Sequence, residues 1–186
     1  MQTTATFCPE TSDFVLDTPN VGATKWWVGS LGRTATHAVV IARLRVPGTT
    51  STEFEDKGPH PFIMQIRDME TLKPLPGITI GDIGPKLGYN AIDNGFMQFR
   101  RVHIPLDSIP GRTGTVSRKG VYTPPSKENA RASYSSMTHI RVLLVADSAA
   151  TLARIMTIAT RYLSIRRQFA LEKNGPEVPV SQFEMS

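Results

Sequence analysis

The first two thirds of the chain alternates short apolar stretches with residues that favour turns. All but two of the fourteen prolines and all but one of the fourteen glycines lie at or before Pro125. The stretches between them are rich in Val, Ile, Thr and aromatic residues, a composition typical of β-strands. The predicted strands cover residues 3–7, 14–16, 25–28, 37–46, 61–66, 79–82 and 96–104. Short strands at this spacing predict an antiparallel β-barrel or sandwich.

The segments between the predicted strands differ in character. Residues 8–13 are turn-rich and predict a hairpin connection between the first two strands. Residues 54–61 are predicted to form a loop. Residues 107–125 are rich in Gly, Pro and Ser and have no apolar periodicity, so we expect an exposed connection there.

The last third of the chain has a helical pattern. From about residue 133 to 169 neither Gly nor Pro interrupts a stretch rich in Ala, Leu, Ile, Met and Arg, which predicts one long helix. Residues 142–146 are apolar on all sides, so several other helices should cover them, and we expect those helices outside this chain. We therefore predict an α+β chain with a β-domain at 1–125 and, at 126–186, the first helix of an incomplete helical bundle.

The composition is that of an ordinary folded protein. The chain has 186 residues, of which 40% are hydrophobic and 20% are charged, and this excludes disordered and collagen-like chains. We find no signal-peptide pattern and no apolar run near the ~20 residues that cross a bilayer, so we expect no membrane partner. The net charge of +5 permits nucleic acid or a phosphorylated cofactor as a partner. The single cysteine, Cys8, excludes an intrachain disulfide and a cysteine-based metal site.

Few residues follow a recognisable catalytic or metal-binding pattern. The four histidines are scattered without the spacing of a metal-binding pair, so we predict no metal site and no catalytic histidine. Gly81, Gly84 and Gly88 lie close together, but turns with positive φ explain them better than a phosphate-binding loop does.

Two other features are more informative. Trp26 and Trp27 are adjacent in a predicted strand and should face opposite sides. Either one tryptophan fills a core and the other lies at its rim, or one packs against a planar ligand ring that approaches over Gly29. The cluster 166–168 has two adjacent arginines at the predicted helix end. It is either a solvated face that complements the helix dipole or a site for pyrophosphate.

Four segments in one order resemble the acyl-CoA oxidases of the acyl-CoA dehydrogenase superfamily. They are KWWVGSLGRTATHAVVIARL at 25–44, LPGITIGDIGPKLGY followed by IDNG within 75–95, FMQFRRVHIP at 96–105 and RYLSIRRQ at 161–168. The resemblance implies the middle β-domain of that superfamily followed by the first helix of its C-terminal helical domain.

The resemblance also implies a function. Acyl-CoA oxidases are peroxisomal homodimers that use FAD and O2 to convert a fatty acyl-CoA into a trans-2-enoyl-CoA and H2O2. A carboxylate removes the α-proton of the substrate while the β-hydrogen leaves as a hydride. In this superfamily the residues at the positions of Trp27, Val28 and Gly29 line the flavin. Those at the positions of Arg166 and Gln168 reach the FAD of the neighbouring subunit, so we expect all five to bind FAD.

The family's catalytic residue has no counterpart in this chain. The catalytic glutamate of the family lies beyond the matched region. In the minority of the superfamily that places the base on the long helix, the matching position is Ile140, which cannot accept a proton. We therefore predict no catalytic residue here and expect a partial form that is inactive alone and binds FAD weakly or not at all.

Two functions other than an oxidase are compatible with parts of this sequence. The alternative to an oxidase is a non-catalytic flavin-binding or assembly module that pairs with an intact oxidase. Nucleic-acid binding is disfavoured because the basic residues are dispersed and no base-stacking motif is present.

Overall fold

The described part of the chain, residues 1–48 and 53–183 of a computed structural model, folds as two units, Met1–Arg131 and Ala132–Ser186. The first unit is built mainly from strands, and the second contains most of one long helix, which begins at Lys127, and a short hairpin. We describe each unit by itself.

The strands of the first unit form two larger sheets and a hairpin. The strands are β1 Thr4–Cys8, β2 Asp13–Asp17, β3 Lys25–Val28, β4 His37–Pro47, β5 Phe54–Gln65, β6 Ile78–Asp82, β7 Gly95–Phe99, β8 Val102–Ile104, β9 Thr115–Val116 and β10 Tyr122–Thr123. A five-stranded sheet has the order β5-β4-β1-β2-β8, a three-stranded sheet has the order β3-β7-β6, and β9 pairs with β10. Within the described residues neither larger sheet closes on itself, so the mixed α+β class is confirmed without a closed barrel.

The five-stranded sheet is mixed. β1 and β2 form the expected hairpin, with Cys8 opposite Asp13. β1 also pairs with β4, and this pair is parallel, with Thr4 opposite Arg43. The expectation of a wholly antiparallel sheet is therefore wrong. The reason is that β3 joins the other sheet, so β4 returns beside β1 through a crossover rather than a tight turn.

β5 is much longer than the sequence predicts. It starts at Phe54, and the predicted loop at 54–61 lies within this strand. The prediction failed because Gly58, Pro59 and Pro61 resemble loop residues. β5 lies at the edge of its sheet, where a proline does not interrupt the hydrogen bonds on both sides of a strand. Long pairing with β4 therefore keeps this segment extended.

Two further predictions in this unit need correction. The predicted strand 96–104 is divided into β7 and β8, which belong to different sheets, and Arg101 between them has φ +48°. The segment 107–125, expected to be exposed, contains the β9-β10 hairpin. It also places Ile109 and Val116 in the hydrophobic core. Gly and Pro in this segment shape turns around buried positions rather than marking a solvated linker.

The core of the first unit draws side chains from both larger sheets. Phe14 and Phe62 meet edge to face, with ring centroids 5.4 Å apart. Ile78, Met97 and Phe99 from the three-stranded sheet belong to the same buried cluster. Full burial of such a side chain contributes about 1.5–3 kcal/mol. The two sheets are thus held by one shared core.

The helix α1 runs over Lys127–Ile165. It starts earlier and ends earlier than the predicted 133–169, because the residues after Ile165 pair as a hairpin of β11 Arg167–Ala170 and β12 Glu177–Pro179. Most apolar side chains of the helix are more than half exposed in this chain. This exposure fits the expectation that the helix needs partners to cover it.

The segment Thr138–Ile165 of α1 is long and apolar enough to cross a membrane by length and composition. The segment contains no unbroken apolar run of that length, which is why the sequence predicted no membrane-crossing helix, but its charges are spaced widely enough to leave an apolar window. A core helix from a soluble bundle passes the same test, so this property alone does not assign the helix to a membrane.

Candidate functional site

β3 has a bulge at its two tryptophans. β3 pairs with β7 only at its two ends, and between these pairs Trp26 and Trp27 lie opposite the single residue Phe96. A bulge redirects side chains away from the regular alternation of a strand. Trp26 stacks on Phe96, with ring centroids 5.9 Å apart and 20° between the planes. Both indoles are more than half exposed, so the interpretation in which one of them fills a core is wrong.

Trp27 has a backbone conformation that is rare for a residue with a side chain. Its φ is +67°, in the left-handed region where Cβ is crowded by the backbone. The amide nitrogen Nδ2 of Asn94, a buried residue, donates a hydrogen bond to the Trp27 carbonyl at 3.2 Å. The other amide atom, Asn94 Oδ1, is the one buried oxygen or nitrogen without a hydrogen-bond partner among the side chains that the structure describes.

Val28 and Gly29 continue this exposed segment. Val28 is 40% exposed, and a Cβ placed on Gly29 would contact only Ile92 Cγ2, at 4.0 Å. We call Trp27, Val28 and Gly29 the β3 rim. It offers an indole, an aliphatic side chain and an open stretch of backbone, a combination against which a planar ring can lie.

Lys25 lies at the start of β3, next to the tryptophans. Burial lowers the pKa of its ammonium group below the ordinary value. Its Nζ donates a hydrogen bond to the Ile41 carbonyl at 2.7 Å, which ties β3 to β4. This lysine therefore supports the strand. The sequence alone does not indicate this role, because nothing in it shows that Lys25 contacts β4.

Asp93 and Asn94 are the functional candidates that the sequence analysis did not single out. The Asp93 carboxylate accepts hydrogen bonds from the backbone amides of Arg33 and Thr34 at 2.8 and 2.9 Å. Desolvation raises the pKa of Asp93, but these hydrogen bonds outweigh it, so the pKa lies below its ordinary value. The Asp-Asn-Gly sequence is a recognisable turn signal. Its partners lie about 60 positions earlier in the chain, and no local pattern reveals them.

In the second unit, Arg166 lies between α1 and β11. Its amide donates to the Tyr162 carbonyl at 2.8 Å, and its carbonyl accepts from the Val180 amide at 2.8 Å. Gln168 lies on β11 rather than on the predicted helix. Both side chains are exposed. The prediction that 166–168 ends the helix is therefore wrong, and these residues sit on the hairpin that follows it.

The two adjacent arginines have different surroundings. Arg167 donates from Nη1 to the Glu177 carbonyl at 3.1 Å, across the hairpin. In the described part of the chain the Arg166 guanidinium has no ion pair and no hydrogen bond. Its five N–H donors are thus available to an anionic group.

The described residues contain no group of three His, Cys, Asp or Glu side chains placed to hold a metal ion.

Known proteins with similar sequences are acyl-CoA oxidases. The family model of the acyl-CoA oxidase C-alpha1 domain matches residues 134–186. Peroxisomal acyl-coenzyme A oxidase 1 of Arabidopsis thaliana is 45% identical over 187 residues, which is 99% of this chain and 27% of the relative. The chain is therefore similar to acyl-CoA oxidases over almost its whole length. It spans about a quarter of the length of the curated relatives that it matches.

Solved acyl-CoA oxidase structures share the fold of this chain. The structure of Arabidopsis thaliana acyl-CoA oxidase 1 matches with a TM-score of 0.85 and 44% identity, covering 98% of this chain and 27% of that one. Acyl-CoA oxidase-1 of Caenorhabditis elegans, crystallised with FAD and ATP, matches with a TM-score of 0.80 and 42% identity, covering 98% of this chain and 26% of that one.

The residues present fit FAD in their chemistry. The β3 rim presents an exposed indole and an open glycine, which suit a planar ring system. Arg166 presents a guanidinium without a protein partner in the described residues, which suits a pyrophosphate. These two groups belong to different units of the chain, and each fits a different part of the dinucleotide.

Proposed function

We propose that this chain is a partial form of an FAD-dependent acyl-CoA oxidase of peroxisomal fatty-acid β-oxidation. The reaction converts a fatty acyl-CoA and O2 into a trans-2-enoyl-CoA and H2O2. The observation that carries the proposal is the match to acyl-CoA oxidases at 44% identity over 98% of the chain. The peroxisomal location rests on the relatives, which are named peroxisomal.

The chain's own residues have binding and orienting roles in this proposal. Trp27, Val28 and Gly29 provide a surface for the flavin ring, and Arg166 and Gln168 bind the FAD of a neighbouring subunit in a homodimer. When bound, FAD supplies the electron acceptor that links oxidation of the acyl chain to reduction of O2. We assign no catalytic base to this chain, and we expect the chain alone to be inactive and to bind FAD weakly or not at all.

A domain assignment accompanies this function. We propose that residues 1–125 form a β-sandwich of the acyl-CoA dehydrogenase middle-domain type, and that 126–186 begin the C-terminal helical domain. The shared core of the two larger sheets supports the sandwich, because facing sheets bury their inner side chains against each other. The C-alpha1 family match at 134–186 supports the second assignment.

A segment replacement tests the proposed function. The matching segment of the Arabidopsis thaliana oxidase would be replaced by this chain, and the purified chimera assayed for bound flavin absorbance and for H2O2 production from palmitoyl-CoA. We expect a yellow, active protein. A folded chimera without flavin would contradict the proposal.

Trp27→Ala in that chimera should weaken FAD binding about tenfold, because an aromatic contact contributes roughly 0.5–1.5 kcal/mol beyond its buried area. Trp26→Phe is the matched control, because Phe keeps an aromatic ring beside Phe96. FAD affinity is read from flavin fluorescence titration. Equal losses of FAD affinity in both variants would show that Trp27 has no specific role in FAD binding.

The assembly-module alternative is favoured by one observation, the exposed apolar helix. Under this alternative the chain is a non-catalytic flavin-binding or assembly module and binds the purified intact oxidase as a defined complex. Sedimentation of the chain mixed with the Arabidopsis enzyme separates the two functions, since only the module is expected to form a complex with the intact enzyme.

A further inference from the structure

Two left-handed residues bracket Val28 and Gly29. Trp27 has φ +67° and Ser30 has φ +60°. Residues with a Cβ disfavour this region, and they persist in it only where several surrounding contacts fix them. The residues that make those contacts therefore determine the backbone conformation of the β3 rim.

The first left-handed residue is held by Asn94. The Asn94 Nδ2 group donates to the Trp27 carbonyl at 3.2 Å. Asn94 is itself fixed, because its carbonyl accepts from the Ile83 amide at 3.0 Å and the residue is only 6% exposed. Its amide is thus oriented toward Trp27 although Oδ1 is left without a partner. A buried acceptor without a partner is costly, so a benefit elsewhere must offset it.

The second left-handed residue is held through Asp93. The Ser30 carbonyl accepts from the Ala35 amide at 2.7 Å. The Thr34 hydroxyl lies within hydrogen-bond distance of both the Ser30 carbonyl, at 3.2 Å, and the Asp93 carboxylate, at 3.1 Å. In addition, the Asp93 carbonyl accepts from the Gly32 amide at 2.8 Å. Asp93 therefore fixes the loop that begins at Ser30.

Gly95 completes the contact between these segments. A Cβ on Gly95 would lie 2.6 Å from the Gly32 nitrogen and 2.8 Å from the Gly81 carbonyl oxygen. Both are backbone atoms that cannot move aside as a flexible side chain can. The backbone of this turn thus packs directly against the loop after β3, and only glycine fits.

We propose that Asp93, Asn94 and Gly95, which we call the DNG turn, are positioning residues that set the conformation of the β3 rim for flavin contact. Asn94 fixes Trp27 directly, and Asp93 fixes Ser30 through Thr34. The flavin part of this inference rests on the proposed function, whereas the positioning part is a property of this chain alone.

Fluorine NMR of the full chain labelled with 5-fluorotryptophan tests the positioning. The chain has two tryptophans, and Trp26→Phe assigns the Trp27 resonance. We expect Asn94→Ala, Asn94→Asp and Asp93→Ala to shift or broaden the Trp27 resonance more than that of Trp26.

Asp68→Ala is the matched control for Asp93→Ala. The Asp68 carboxylate also accepts from two backbone amides and one threonine hydroxyl, those of Glu70 and Thr71, but none of these belongs to the β3 rim. This control should leave both resonances in place. An unchanged Trp27 resonance in a folded Asn94→Ala chain would overturn the proposal. If the Asn94 variants fail to fold, Thr34→Val provides the same test through Ser30.

The chimera separates this inference from the proposed function. In it, Asn94→Ala should weaken FAD binding about fivefold, the effect expected from one lost neutral hydrogen bond, and Asp68→Ala should not. If the parent chimera binds no FAD, the proposed function fails while the NMR result still decides the positioning. If the Trp27 resonance moves but FAD affinity stays constant, the flavin part of the inference is wrong.

Discussion

Trp27 holds a backbone conformation that its side chain disfavours. The left-handed region costs a residue with Cβ of order 1–2 kcal/mol, and one neutral hydrogen bond contributes only about 1 kcal/mol. The contact from Asn94 therefore does not suffice by itself. Pairing of β3 with β7 on both sides of the bulge, and the close approach of Gly95 to Gly32, supply the remainder. The strain at one residue is thus shared by a small tertiary cluster.

The Asp93 contacts predict a response of the β3 rim to acid. The pKa of Asp93 lies below its ordinary value because hydrogen bonds to Thr34 and Arg33 outweigh desolvation. A carboxyl group with a lowered folded pKa stabilises the fold above its unfolded pKa of about 3.9, and this contribution is lost as pH falls through the lower folded value. We expect the Trp27 fluorine resonance to move over that acidic range, below pH 4.

The control for this acid response must account for nearby charges. Arg33, whose backbone amide donates to Asp93, also pairs through its guanidinium with Asp82 at 3.1 Å. Asp93→Ala should remove most of the pH dependence of the Trp27 resonance, whereas Asp68→Ala should retain it. A similar acid response in the Asp93→Ala chain would show that Asp93 is not the source of the effect.

At the scale of elements, the turn from α1 into β11 determines which of two adjacent arginines, Arg166 or Arg167, has a guanidinium group free to bind a ligand. The helix ends at Ile165, so Arg166 lies in the connection and Arg167 is the first residue of β11. Arg167 is used within the hairpin through the Glu177 carbonyl. Arg166 is left without a partner in the described residues, and we infer that it is the one suited to an external anion.

Arg166→Ala should weaken FAD binding in the chimera by about 10- to 100-fold, because a hydrogen bond to a charged group contributes roughly 1.5–3 kcal/mol. Arg167→Ala is the matched control and should alter FAD binding far less while loosening the β11-β12 hairpin. Flavin fluorescence titration measures the affinity, and raising the ionic strength should reduce the difference between the variants. A larger loss for Arg167→Ala would reverse the assignment.

The elements that the sequence predicted well are those with a local signal. β3 has the predicted bounds, and the β1-β2 hairpin lies where turn residues indicate it. β5 was missed because its extended form depends on an edge position and long pairing with β4, which no local composition reveals. The helix end was misplaced because Arg167 and Phe169 join a hairpin with residues about ten positions later.

In the candidate site, too, the features with a local sequence signal could be predicted and those that depend on tertiary contacts could not. Trp27 and Gly29 could be selected from a motif, and their exposure agrees with a ligand-facing role. The bulge, the left-handed φ of Trp27 and the contact from Asn94 could not be predicted, because they arise where residues 67 positions apart meet in the folded chain. Roles in FAD binding for Trp27, Val28, Gly29, Arg166 and Gln168 stay predictions.

At the scale of the whole molecule, the main feature is the imbalance between a well-packed first unit and an exposed helix. The C-terminal half of α1 has two faces. Arg154, Thr157, Arg161 and Ser164 follow each other at intervals of three and four residues and form a polar stripe. The opposite side carries exposed apolar side chains of Leu152, Ile155, Met156 and Leu163. A helix of this kind is stabilised mainly by tertiary packing of its apolar face.

This imbalance predicts that the purified chain associates with itself through α1. Exposed contiguous apolar surface promotes association, and in the C-terminal half of α1 it is concentrated on one side. Ile155→Lys should shift the chain toward smaller species, because burying an unpaired ammonium at a helix contact is unfavourable. Thr157→Lys adds the same charge on the polar stripe, about 200° around the helix from Ile155, and should leave association unchanged. Sedimentation velocity over a range of concentrations measures both, and a chain that stays monomeric throughout, or two variants that behave alike, would show that this face of α1 does not drive association.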